Sequence, residues 1–178
     1  MLSAALLFPP QYFPSPDNKY SIRYRIFDDA RDQQCGDDNS HEATLFMGIK
    51  RLWLVTARGR AFEFFWSPDS RHFLAQFTDK DRETELYYVD ASAKKPIERN
   101  LQLPKIADAV EARLPRRMDT GLTGRSRIDH LSWPSPSYCR LAYHYSFDDK
   151  SGDADLDLDV SADHPRLRIV SVRPRPDE

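Results

Sequence analysis

The sequence is poor in the residues that build nucleophilic and metal sites. Cysteine occurs only as Cys35 and Cys139, with no C-x-x-C pair, so the usual zinc-ribbon and redox spacings are excluded. Glycine occurs 6 times in 178 residues and never as G-x-S-x-G, which removes the nucleophile elbow of a serine hydrolase. No apolar run reaches the roughly 20 residues of a membrane-spanning helix. A formal charge of -2 leaves no field that would recruit nucleic acid. What is present is 40% hydrophobic and 12% aromatic residues, enough for a folded core, and 13 prolines, which point to many short elements divided by turns.

Two features stay open at this level. The apolar start, MLSAALLF before Pro9-Pro10, reads either as the stub of a secretory signal peptide or as an N-terminal strand packed on the core. Cys35 and Cys139 read either as one disulfide in an oxidising compartment, contributing up to about 4–5 kcal/mol through loop closure, or as two unrelated thiols.

One turn recurs. FPSPDNKYSIRYRIF at 13–27, FWSPDSRHFLAQF at 65–77 and SWPSPSYCRLAYHYSF at 132–147 share an aromatic residue, Ser-Pro, a short polar stretch and an alternating strand. Proline sets φ for position i+1 of a type I turn, while the flanking Ser and Asp bond nearby backbone N–H groups. Tyr20, Ile22, Tyr24 and Ile26 then share one strand face, as do Phe73, Ala75 and Phe77, and Leu141, Tyr143 and Tyr145. Further strands are expected at 43–49, 52–57, 61–66, 85–90, 97–103, 155–160 and 167–172. A single helix is expected at 105–114, with Ile106, Ala109, Val110 and Leu114 on its apolar stripe.

Trp66-Ser67-Pro68-Asp69, followed by ELYYVD at 85–90, resembles the WSPD(G) repeat of TolB-like β-propellers. The likeness extends to 128–147 and 13–27, but where that family carries glycine after the aspartate this chain has Asn18, Ser70 and Tyr138. The resemblance implies an all-β, antiparallel fold, a propeller-like or sandwich-like meander of three repeats (about 13–64, 65–104 and 128–173) in a single domain, with a helix and basic loop inserted at 105–127. Three repeats fall short of the 4–8 blades that close a propeller, so an open arc with a covering element or partner is expected. No active site is carried over, because the hydrolases with such repeats keep their catalytic serine in a separate domain.

The residues with chemistry of their own are few. His144 or His130 beside Asp129, Asp148 or Asp149, with a nearby Ser or Cys139 as nucleophile, is the one catalytic grouping to weigh, and polar strand positions explain it better. Asp153, Asp155, Asp157 and Asp159 alternate on one strand face and lack the glycine and glutamate of an EF-hand loop. Two charged segments stand out: 28–42, with Asp28, Asp29, Asp32, Asp37, Asp38 and Glu42, and 113–127, with Arg116, Arg117, Arg125 and Arg127. Both are expected to be long connections, either solvated loops or a recognition surface for a charged protein partner. The functional expectation is a protein without enzymatic activity, cofactor or metal: a small periplasmic or envelope inhibitor, of the immunity type, that blocks a secreted toxin or effector enzyme such as a cell-wall hydrolase. A cytoplasmic location and a homodimer that completes a ring are the alternatives; neither nucleic acid nor a membrane span is expected.

Overall fold

A computed structural model gives the fold of residues 8–27, 39–59, 61–78, 84–93, 96–115, 122–148, 150–161 and 165–175. The alternating segments pair with their neighbours in chain order. Strands β1 (Gln11–Pro14), β2 (Tyr20–Phe27), β3 (Asn39–Met47) and β4 (Lys50–Gly59) form one antiparallel sheet. A second is made of β5 (Ala61–Trp66), β6 (His72–Thr78), β7 (Thr84–Asp90) and β8 (Ile97–Asn100). After helix α1 (Leu103–Glu111), β9 (Leu122–Ser135), β10 (Tyr138–Asp148), β11 (Lys150–Asp159) and β12 (Arg166–Pro174) form the third, in the order β12-β11-β10-β9. Among the described residues the fold is therefore mostly β, in three four-stranded antiparallel sheets with one short helix, and none of these sheets closes on itself.

Side-chain alternation explains the layering. Phe73, Ala75 and Val89 of the second sheet pack on Tyr20, Ile22, Ala43 and Leu45 of the first. On its other face, Leu74, Leu86 and Tyr88 meet Leu141, Tyr143, Leu156 and Leu158 of the third. The second sheet is thus buried on both faces, which is why β6 reads FLAQF with hardly a polar position. Leu103, Val110 and Leu114 carry the helical segment into the same core as the third sheet.

Most expected strands are present, with three differences. Segment 61–66 pairs with β6, so it belongs to the second sheet rather than to the end of the first repeat. Residues 97–103 do not form one strand: β8 stops at Asn100, whose side chain accepts the Gln102 N–H at 2.7 Å, and Leu103 already starts the helix. Pro104 lies in the first helical turn, where a missing N–H costs nothing. Lys150 Nζ donates to the Glu111 carbonyl at 3.2 Å and so places a positive charge at the helix C-terminus. Finally, 122–127, expected as part of a basic loop, is the start of β9; Arg125 stands opposite Ser146 and Arg127 opposite His144.

Gly152 lets the helical segment approach. A Cβ there would stand 2.5 Å from Leu114 Cδ2 and 2.6 Å from the Arg173 carbonyl oxygen.

Candidate functional site

The Ser-Pro-Asp turns are built as their chemistry dictates. In the first, the Asn18 N–H donates to the Ser15 carbonyl at 2.8 Å, closing a β-turn around Pro16 and Asp17. The Ser15 hydroxyl donates to Asp17 Oδ1 (2.7 Å) and accepts the Tyr20 N–H (3.0 Å). The second turn repeats each contact: Ser70 N–H to the Ser67 carbonyl (3.0 Å), Ser67 Oγ to Asp69 Oδ1 (2.6 Å) and His72 N–H to Ser67 Oγ (3.0 Å). Asn18 and Ser70, where the resembling family has glycine, take the left-handed conformation that glycine favours, with φ of 57° and 61°. The third turn differs: Ser135 pairs directly with Tyr138, so only Pro136 and Ser137 lie between them, and no left-handed residue is needed.

The first two turns also dock on one another. Asp17 N–H donates to Ser70 Oγ (2.9 Å), and Trp66 Nε1 donates to the Phe13 carbonyl (3.2 Å). Between the second and third turns opens a cleft of about 590 Å³, lined by Asp69, Arg71, His72, Tyr88, Asp90 and Arg99 and by Pro136 and Ser137. His72 Nδ1 and the Tyr88 hydroxyl share a hydrogen bond of 2.7 Å, with Asp90 3.8 Å away. Burial holds the His72 imidazole below its usual range, against the pull of Asp90 and Asp69. Asp69 and Asp90 already cap backbone N–H groups of Arg71 and Ser92, and the Ser67 hydroxyl is committed to the turn. The cleft therefore offers charges and an imidazole bonded to the Tyr88 hydroxyl, a phenol whose pKa burial pushes up to about 12.

The sequence-predicted partner residues fall in several places. Asp28, Asp29, Asp32, Cys35, Asp37, Asp38, Arg116 and Arg117 lie outside the described residues. Glu42 stands in β3 on the free face of the first sheet, where its carboxylate accepts from Arg25 Nε at 2.9 Å and lies 3.9 Å from Arg23. Arg125 and Arg127 stand in β9 rather than in a loop, and Arg127 is paired with Asp129. Cys139 is a free thiol with no exposed surface, and burial pushes its pKa up to about 12.

The free face of the third sheet holds a feature that single-strand patterns did not show. Asp157 pairs with Arg168 (3.1 Å), Asp155 with Arg173 (3.0 Å) and Asp153 with Arg175 (3.2 Å), so these three aspartates are neutralised by two arginines of β12 and by Arg175 just after it. At one end His144 Nδ1 meets Asp153 Oδ1 at 3.0 Å. Asp129, the histidine partner considered from sequence, completes a group in which one ligand atom from each of Asp129, His144 and Asp153 lies within 4.8 Å of the others. Register explains the meeting: His144 pairs with Asp153 on β11 and with Arg127 on β9.

The sheet edges differ in protection. Natural edges are kept short, charged or covered to prevent stray pairing. Strand β8 has 4 residues, and β12 carries Arg166, Arg168 and Arg173. Strand β4 has 10 residues and runs Leu52-Trp53-Leu54-Val55 through its centre. Its hairpin with β3 exposes Met47 (37%), Ile49 (102%) and Leu54 (43%). None of the helices among the described residues is long and apolar enough to cross a membrane. Comparison with family models, with curated proteins and with solved structures finds no match for this chain.

Proposed function

We propose that the chain is a non-enzymatic protein-binding module, an inhibitor of the immunity type that blocks a secreted effector enzyme such as a cell-wall hydrolase. The observation that carries the binding half of this reading is the edge of β4, 10 residues long, apolar at its centre and paired with no further strand among the described residues, whereas the last strands of the other two sheets, β8 and β12, are short or charged. Such an edge adds a strand from a partner: backbone groups supply the hydrogen bonds and alternate side chains the selectivity. Lys50 and Arg51 at its start favour an acidic flank on the incoming strand. Asp28, Asp29, Asp32, Asp37, Asp38, Arg116 and Arg117 are assigned to steering the partner in. The inhibitory half and a periplasmic or envelope location belong to the same proposal, and the enzyme assay below tests the inhibitory half.

We read the stack itself as an open arc of three propeller-like blades. This is supported by the chain-order meander of each sheet and by the cleft of about 500 Å³ where Phe13 of β1, Phe62–Phe65 of β5 and Ile128–Leu131 of β9 converge. A second copy closing the ring is disfavoured on physical grounds. The faces joining the sheets are apolar, whereas the free face of the third sheet is an Asp–Arg ladder whose burial would carry a desolvation cost of several kcal/mol per ion.

The experiment is size-exclusion chromatography with light scattering, on the chain alone and mixed with the product of the neighbouring reading frame, alongside an assay of that enzyme. A monomer alone, a one-to-one complex when mixed and loss of enzyme activity are expected. Leu54→Lys and Ile49→Lys should weaken the complex by about tenfold or more, since one lost hot-spot contact is worth about 1.4–2 kcal/mol, with unchanged far-UV circular dichroism. A stable homodimer without affinity for the enzyme overturns the proposal.

A further inference from the structure

We propose that Asp129, His144 and Asp153 form a binding site for one first-row divalent cation, zinc by its donor set, on the free face of the third sheet. This goes beyond the partner-binding reading and does not depend on it.

Three observations build the site. First, the strand order brings the ligands together: Asp129 from β9, His144 from β10 and Asp153 from β11 occupy three adjacent strands. Second, the separations suit a common ion. With metal–ligand bonds of about 2.0–2.2 Å, two ligands of a tetrahedral zinc lie about 3.3–3.5 Å apart. His144 Nδ1 and Asp153 Oδ1 are already 3.0 Å apart, and the whole group lies within 4.8 Å, so a small movement of the exposed Asp129 closes the set. Third, Asp129 is placed by a β-bulge. Ala142 pairs with His130 and Tyr143 with Ile128, which leaves Asp129 as the extra residue between them. Bulges re-aim a side chain in this way and are frequent beside functional sites.

The donor set chooses the ion. One imidazole and two carboxylates form a mixed nitrogen–oxygen set that suits zinc and its first-row neighbours, whereas calcium takes six to eight oxygens and magnesium a near-octahedral oxygen shell. Three protein ligands leave a position for water or for a partner's side chain. His144 is 8% exposed, so its ring is held by packing and needs little further ordering on binding. The charges facing the group are Arg127, bonded to Asp129, and Arg175, bonded through Nε to Asp153 Oδ2 at 3.2 Å. Each engages one carboxylate oxygen and leaves the other for the ion, as outer-shell donors to ligating carboxylates do. Their positive charge holds the affinity below that of a closed structural zinc site.

The test uses untagged full-length chain and zinc chloride alone, by isothermal titration, with magnesium and calcium chlorides as comparators. One equivalent of zinc should bind, with neither comparator competing at equal concentration. Asp129→Asn, His144→Ala and Asp153→Asn should each weaken binding by about tenfold or more, a loss of at least about 1.4 kcal/mol, while Asp155→Asn, on the same strand face, stays within about twofold of the parent. Thermal melts in chelator establish that each variant is folded. Independently of any variant, zinc should move the imidazole NMR signals of His144 and leave those of His72 in place. Unchanged affinity in His144→Ala, equal loss in Asp155→Asn, or imidazole shifts elsewhere than His144 overturns the site.

Discussion

Ser70 occupies a left-handed position that ordinarily belongs to glycine, and it uses the side chain that glycine lacks to hold a second turn. Ser70 is 1% exposed and Asp17 lies at the surface, so the bond between them is part-buried. Ser70→Ala should therefore destabilise the fold by about 0.5–1.5 kcal/mol, the net worth of one hydrogen bond. Ser70→Gly should cost less by about 1 kcal/mol, because it removes the left-handed strain at the same time. Urea unfolding of the two variants measures the difference; equal midpoints would show that the conformation at this position carries no strain. The turn itself was legible because Ser-Pro-Asp chemistry is local, whereas the left-handed conformation of Asn18 and Ser70 was not, since Tyr138 departs from glycine at the matching place without adopting it. The Ser70–Asp17 bond was not legible, since it joins turns far apart in sequence and no spacing says which turn meets which.

Among the elements, helix α1 depends on one glycine. Gly152 on β11 has no room for a Cβ against Leu114 and the Arg173 carbonyl. Gly152→Ala should cost about 1–3 kcal/mol, as overpacking a filled site does, and lower the melting temperature. Gly48, with open space around it but φ of 57°, should tolerate alanine only with a loss of about 1 kcal/mol from strain. Strand existence was readable where one face is apolar, as in β2, β6 and β10. It failed for 122–127, where Arg125-Ser126-Arg127 presents no apolar face and pairing with β10 alone supplies the strand. The exposed edge of β4 was equally hidden, because its residues read as a strand while edge status depends on which neighbour is absent.

At the scale of the whole molecule, the buried core makes the fold sensitive to alkali. Burial raises the Cys139 thiol to about 12, and the Tyr88 and Tyr143 phenols to about 12, whereas the same groups in an unfolded chain titrate near about 8.5–10. Between those values the folded state binds more protons than the unfolded one, so stability must fall as pH rises through that window and is fully retained below it. Urea midpoints should be level from about pH 7 to 8 and drop by about pH 10–11. A flat profile would mean these groups are reached by solvent. The same register that builds the core assembled Asp129, His144 and Asp153; the sequence offered Asp129 as a partner of His144 but not Asp153, which reads as one of a row of alternating aspartates until three strands align. The edge of β4 is the proposed place for a partner strand to add. Hydrogen–deuterium exchange on the chain, alone and with the neighbouring-frame enzyme, measures it directly. Protection gained along β4 on adding the enzyme, with β12 unchanged and no dependence on the concentration of the chain alone, is the predicted result; protection confined to β12, or appearing in the chain alone as its concentration rises, would contradict it.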